Sequence, residues 1–172
     1  VKRFAEAKQR LRPVLDDHQR RDVARWCAER VVAAAGRLPA HVVCDDPEVE
    51  RWAASIGATI IRCPGAGLNP AIERAVESLR QSGVDYAVIA HGDLPLATRF
   101  EHLPLTGYVT VVPDHRYDGT NVLVVPTSLS GRFTFQYGHG SFRRHVQEAL
   151  ACGWRVRVVC DGDLAHDLDT PT

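Results

Sequence analysis

Carboxylates in turn-bounded loops are the residues of this chain with the clearest capacity for chemistry. Asp93 lies in HGDLPL, just beyond the apolar run 86–90, and Asp167 and Asp169 stand two apart in HDLDTP. In extended backbone residues i and i+2 project to the same side, so the last pair can face one point. If that loop returns beside Asp93, three carboxylates meet and repel one another unless a cation joins them. Magnesium suits such a set, because it takes one or two carboxylates, keeps waters and shares phosphate oxygens. The alternative is local: Asp93 caps its turn, and Asp167 and Asp169 are solvated loop acids or caps ahead of Pro171. His91 and His166 flank the acids, as hydrogen-bonding neighbours rather than ligands.

A further candidate is PGAGLNP, residues 64–70, where glycines run into a helix start. Backbone N–H groups at such a junction suit phosphate or a nucleotide, although an ordinary loop reads the same way. Charge excludes other partners. Lys plus Arg and Asp plus Glu number 21 each, so no long-range positive field draws polymeric nucleic acid or an anionic membrane. No apolar stretch nears the roughly 20 residues of a membrane span, and a cytoplasmic protein is expected. Five scattered cysteines, Cys27, Cys44, Cys63, Cys152 and Cys160, lack paired metal-ligand spacing and read as buried reduced thiols.

The elements that must position these residues alternate. Strands are expected at 41–44, 58–63, 86–90, 108–114, 122–126 and 154–161, the run 86–90 buried on both faces and the last at an edge. The first helix starts at Asp16 or Asp17 and ends at Gly36. It buries Val23, Trp26, Cys27, Val31 and Ala34, and solvates Arg20, Arg21, Arg25 and Glu29. The second runs from an Asp cap with Pro47 in its first turn to Gly57. The third has Asn69 as N-cap and ends at Gly83, and the fourth has Ser141 as cap and ends at Gly153. This is an α/β three-layer, Rossmann-like sandwich on a mixed, mostly parallel sheet, with an antiparallel strand around 108–126. One domain over 1–172 is expected, short of a first strand and a final helix.

Motifs VKRFAEAKQRL, CDDPEVERWA, PGAGLNPAI, HGDLPLA, DGTNVLVVP, YGHGSF and DLDTP occur in that order along the whole chain. It resembles the guanylyltransferases of deazaflavin coenzyme F(420) biosynthesis, which couple GTP to 2-phospho-L-lactate or phosphoenolpyruvate. The resemblance implies a nucleotidyltransferase-type fold and release of pyrophosphate. It makes Asp93, Asp167 and Asp169 the magnesium-holding carboxylates and places Lys2 and Lys8 at the GTP phosphates, Lys8 with a catalytic role. It sets Pro64, Gly65, Leu68 and Asn69 along the nucleotide and gives Thr120, Gly138 and Ser141 to the phosphorylated acid. Hydroxyls and helix-terminal N–H groups agree with that last assignment. Partners consistent with this reading are GTP, a phosphorylated three-carbon acid, a downstream ligase of the same pathway and a second copy of the chain. His91 and His139 depart from the family pattern and bear on the acid pocket, so phosphoenolpyruvate, 2-phospholactate and 3-phosphoglycerate all stay open.

The expected reaction is in-line attack of the acid's phosphate oxygen on the α-phosphorus of GTP, with no covalent intermediate and no dedicated base. The alternatives are another small-molecule nucleotidyltransferase and a non-catalytic nucleotide-binding module of the same fold. Because the three carboxylates repel one another, Asp93→Asn is expected to leave the metal-free protein as stable as before or slightly more so.

Overall fold

A computed structural model describes residues 1–168. The chain opens with two short 3-10 turns, Phe4–Glu6 and Gln9–Leu11, joined through Lys8 at a left-handed φ of 55°. Helix α1, Asp17–Ala34, begins at a capping box in which the Asp16 carboxylate accepts from Gln19 N–H at 2.8 Å and the Gln19 side chain accepts from Asp16 N–H at 3.0 Å. Two donors that a helix start leaves open are thereby satisfied. Strand β1, His41–Cys44, runs into Asp46, whose carboxylate caps α2, Pro47–Ser55. Next come β2, Thr59–Arg62, α3, Leu68–Gln81, and β3, Tyr86–Ala90. The remainder is β4, Val109–Pro113, β5, Thr120–Pro126, α4, Ser141–Ala151, and β6, Val156–Val158.

Strands β1 and β2 pair in parallel, and the other four form a sheet of order β3-β5-β4-β6. Within it β5 is antiparallel to both neighbours while β4 and β6 are parallel, so only β5 is reversed. The carboxyl ends of β3, β4 and β6 and the amino end of β5 therefore share one edge. Ala90 pairs with Val122 and Pro113 with Thr120, which sets the loop after β3 beside the start of β5. In open α/β sheets ligands gather at such an edge.

Three layers follow from the two faces of this sheet. Ile72 and Val76 of α3 and Ala149 of α4 cover Ala87, Val109, Val111, Leu123 and Val125 on one face. Val31 and Ala34 of α1, with Leu94, Phe100 and Leu103, cover Val112, Val122 and Val124 on the other. A third cluster joins Phe4, Ala24 and Ala28 to Val42, Val49 and Trp52; the Phe4 and Trp52 rings meet edge-on at 5.3 Å. No helix among the described residues is long and apolar enough to cross a membrane.

The structure corrects four expectations. Strands β4 and β5 are the ones buried at every residue, whereas β3 is mostly half-buried because it ends the four-stranded sheet. Trp26 is 48% exposed and Ala24, Cys27 and Ala28 take the buried stripe of α1, since the sheet meets the helix along its small residues. Arg20 is not solvated but 2% exposed, because the amino-terminal turns fold over it. Cys27, Cys44 and Cys63 are buried and all five thiols are free, but Cys160, past the end of β6, is exposed and Cys152, the C-cap of α4, is half-exposed.

Candidate functional site

The backbone pairing of β3 continues one residue past its end, His91 N–H donating to Asn121 O at 3.0 Å. That bond holds His91 still and delivers Asp93 to the sheet edge. Asp93 Oδ2 accepts from Lys8 Nζ at 2.9 Å, with side chains 27% and 5% exposed respectively. The other oxygen, Oδ1, is buried and has no hydrogen-bond partner among the described residues. His91 Nδ1 stands 3.9 Å from it, beyond hydrogen-bond range. Burial pushes the Asp93 carboxyl up, but the Lys8 ammonium, His91 and the Lys8 hydrogen bond together hold it below its ordinary value. An ionised carboxylate with an unpaired buried oxygen suits a hard cation.

Lys8 reaches this point because its loop is tied down. Arg20 donates to Ala7 O at 3.1 Å and also bonds the Asp17 carboxylate. A buried guanidinium thus fixes the peptide preceding the lysine, which explains why Arg20 is not at the surface.

The closing segment crosses the same edge strand by strand. Val159 N–H bonds Val111 O at 3.0 Å, His115 N–H bonds Ala165 O at 2.9 Å, and Leu168 N–H bonds Asp93 O at 3.1 Å. Asn121 Nδ2, buried, adds a 2.9 Å bond to Leu164 O. Half-buried Asp167 is thereby carried alongside the Asp93 loop. Asp169 lies outside the described residues, and among the described residues no three His, Cys, Asp or Glu side chains group to hold a metal ion. His166 bonds Gly162 O at 2.7 Å through Nδ1 and stacks on His115.

Thr120, Gly138 and Ser141 converge. Ser141 Oγ accepts from Thr120 N–H at 3.0 Å, and Ser141 N–H donates to Gly138 O at 3.0 Å. Ser141 is not the cap expected of it: Gly140, at a left-handed φ of 72°, is the N-cap of α4 and Ser141 its first residue. Asp118 supplies the acceptors instead, taking Gly140 N–H on Oδ1 at 3.1 Å and Phe142 N–H on its backbone oxygen at 3.0 Å. The Gly140 bond, with help from His139, holds the Asp118 carboxyl below its ordinary value. The helix-terminal amides expected to bind phosphate are therefore satisfied by the loop itself, and an anion reaching them has to displace Asp118. Gly138 has φ 117° with nothing within 4 Å of an added Cβ, so the penalty for a side chain there is purely torsional. Gly138→Ala is expected to cost about 1–3 kcal/mol, read as a lower denaturation midpoint.

Behind this loop lies His145, 0% exposed. Its Nε2 accepts from Gln136 N–H at 3.0 Å, which leaves the proton on Nδ1 to be donated to Thr120 Oγ1 at 3.0 Å. The Thr120 hydroxyl then keeps its own proton to give. Burial first, then Arg144 and His91, lower the imidazole to about 4, so it stays neutral.

Of the residues expected along the nucleotide, Pro64 and Gly65 are exposed, Leu68 is 55% exposed, and Lys2 is also at the surface. Asn69 is not a cap, since Gly67 holds that position. Its Oδ1 accepts from Tyr137 N–H at 2.8 Å, tying the loop before α3 to the loop before α4. Arg20, Asp118, Tyr137 and His145 are the residues that sequence reasoning missed. Only His145 carried a local signal, lying four residues after Ser141 and so on the same helical face.

A family described as guanylyl transferase CofC like matches residues 1–172. A phosphoenolpyruvate guanylyltransferase of Rubrobacter xylanophilus is 36% identical over 180 residues, covering 99% of this chain and 87% of that protein. One of Sphaerobacter thermophilus is 33% identical, covering 99% and 86%. Among solved structures, a CMP:2-keto-3-deoxy-manno-octonic acid synthetase complexed with CTP superposes with TM-score 0.57 at 15% identity, over 87% of this chain and 83% of that one. A cytidylyltransferase of Leptospira borgpetersenii gives 0.56 at 14%, over 86% and 70%. These two share the nucleotidyltransferase fold, and the chain itself belongs to the guanylyl transferase CofC-like family.

Proposed function

We propose that this protein transfers GMP from GTP to the phosphate of a three-carbon acid, phosphoenolpyruvate in the first instance and 2-phospho-L-lactate as the alternative, releasing pyrophosphate in deazaflavin coenzyme F(420) biosynthesis. The observation that carries the reading is the Lys8–Asp93 pair with its unpaired Oδ1, at the edge where Thr120, Ser141 and the 159–168 segment meet. Relatives named phosphoenolpyruvate guanylyltransferase support the choice of acid.

Asp93, with Asp167 and Asp169, would hold magnesium, and the unpaired, ionised Asp93 oxygen fits that role. Bound there, magnesium would neutralise phosphate charge and favour attack at the α-phosphorus. Lys8 adds a positive charge beside Asp93 for the triphosphate. Leu68 and Asn69, at the start of α3, would face the nucleotide, and Thr120 at the start of β5, with Gly138 and Ser141 at the start of α4, would face the acid. Asn69 couples the two through Tyr137. An oxygen of the acid's phosphate bonds to the α-phosphorus, and the bond from that phosphorus to the bridging oxygen breaks, so pyrophosphate leaves with the electron pair. A phosphate monoester is largely dianionic at pH 7, so no side chain has to remove a proton. This matches a site whose buried histidine, His145, is committed to Thr120.

The test is pyrophosphate release by purified protein with GTP and each of phosphoenolpyruvate, 2-phospholactate and 3-phosphoglycerate, with a coupled ligase consuming the unstable product. Release with phosphoenolpyruvate, lost on chelation of divalent ions and weak with ATP, is expected. Background release with all three acids overturns the reading.

A further inference from the structure

Strand β5 carries an irregularity where it begins, beside the Asp93 loop. Val112 pairs with Val122 but Pro113 pairs with Thr120, so Asn121 is an extra residue on β5 with no counterpart on β4. Pro113 explains the break, since it lacks the N–H that a regular ladder needs, and a strand inside a sheet admits proline only at a bulge. Simple alternation would turn Asn121 to the face of Leu123 and Val125, under α3 and α4. A bulge re-aims a side chain, and the Asn121 amide instead reaches Leu164, which packs with Val122 and Val124 on the opposite face.

The segments bearing Asp93 and Asp167 are both tied to this one residue. Its backbone oxygen accepts from His91 N–H at 3.0 Å, just ahead of Asp93. Its Nδ2 donates to Leu164 O at 2.9 Å, just ahead of Asp167. The two segments then meet directly, Leu168 N–H donating to Asp93 O at 3.1 Å. Asn121 is 3% exposed. A buried amide is costly unless bonded, and leucine would fill a similar volume without that cost. Packing therefore does not account for the amide, whereas the chain it holds does.

We propose that Asn121 is a positioning residue for magnesium: it fixes the segment carrying Asp167 at a set reach from Asp93, so that both carboxylates serve one ion. The proposal rests on the guanylyl-transfer reading, in which that ion meets the GTP phosphates. Asn121 touches neither ion nor substrate, and its influence passes through Leu164 to the residues that follow.

Asn121→Leu tests this, because it keeps the volume and deletes the donor. With Mn2+ as the probe and GTP present, the Mn2+ dissociation constant read by electron paramagnetic resonance is expected to rise about 10-fold or more, as when a support behind a metal ligand is lost. The Mg2+ concentration for half-maximal pyrophosphate release should rise with it, while KM for phosphoenolpyruvate at saturating Mg2+ stays level. Val125→Ala, which weakens β5 from its other face, should lower the melting temperature and move neither metal reading. On an Asp167→Asn background, Asn121→Leu should add little, because residues acting through one another are not additive. If Asn121→Leu does not fold, Asn121→Ala is read in the same way. Unchanged Mn2+ affinity in the Asn121 variant, an equal loss in Val125→Ala, or full additivity with Asp167→Asn overturns the proposal. The Mn2+ titration needs no turnover, so a wild type that binds Mn2+ with GTP but releases no pyrophosphate defeats the functional reading while the titration still decides this one.

Discussion

Asp93→Asn is expected to lower turnover about 100-fold or more, because in the proposed reaction it removes a charge worth several kcal/mol where phosphate charge develops, and each 1.4 kcal/mol is tenfold in rate. Its effect on the metal-free protein differs from what sequence alone predicts. Mutual repulsion of carboxylates argued for unchanged or higher stability, but Lys8 Nζ lies 2.9 Å from Asp93 and its side chain is only 5% exposed. Neutralising Asp93 removes one charged partner from a buried ammonium. Full breakage of a buried pair costs about 3–5 kcal/mol, and the 27% exposure of Asp93 discounts that to about 2 kcal/mol. Magnesium with GTP should no longer raise the melting temperature of the variant, because linkage requires binding. Turnover within about threefold of wild type would remove Asp93 from the reaction. The Asp93 carboxyl is held below its ordinary value, so its contribution is complete above about pH 4 and fades as pH falls through the folded value.

The second large effect is on acid stability. His145 is fully buried with its pKa lowered to about 4, against about 6.5 in an unfolded chain. Above about pH 6.5 both states hold the neutral ring and its contribution is complete. As pH falls below that, the unfolded state gains a proton that the folded state refuses, and stability drains away until about pH 4. The difference is worth about 3 kcal/mol. The charges that oppose protonation come from Arg144 on its own helix and from His91 across the loop. Chemical denaturation at stepped pH should show this slope, and His145→Gln, which can still accept from Gln136 and donate to Thr120, should flatten it. An equally steep slope in the variant assigns the loss to another group.

Short-range physics made the elements legible. Asp16 with Gln19 three residues on, and Asp46 ahead of Pro47, are cap patterns whose energetics lie within one turn, and both form as read. The apolar runs at 41–44 and 86–90 match β1 and β3, and the ordered motifs from VKRFAEAKQRL to DLDTP were enough to identify the family. Single caps failed where glycine intervened. Gly140 adopts a left-handed conformation that frees Ser141 to bond Thr120, and Gly67 starts α3 early enough to leave Asn69 for Tyr137.

What only the tertiary structure decided is who meets whom. Strand order β3-β5-β4-β6 lets residues 159–168 cross from β6 to the Asp93 loop, and no local pattern encodes that order. Arg20 has the spacing of a solvated face, yet it is buried because the chain before α1 doubles back over it. Tyr137 reads as one more aromatic in a loop, and its hydroxyl, without a hydrogen-bond partner among the described residues, is buried where the fold brings His91 and His145 against its ring. Periodicity and caps report interactions within a few residues. The chemistry at this edge depends on contacts between residues up to 85 apart, as Lys8 and Asp93 are, and those are set by which strands pair.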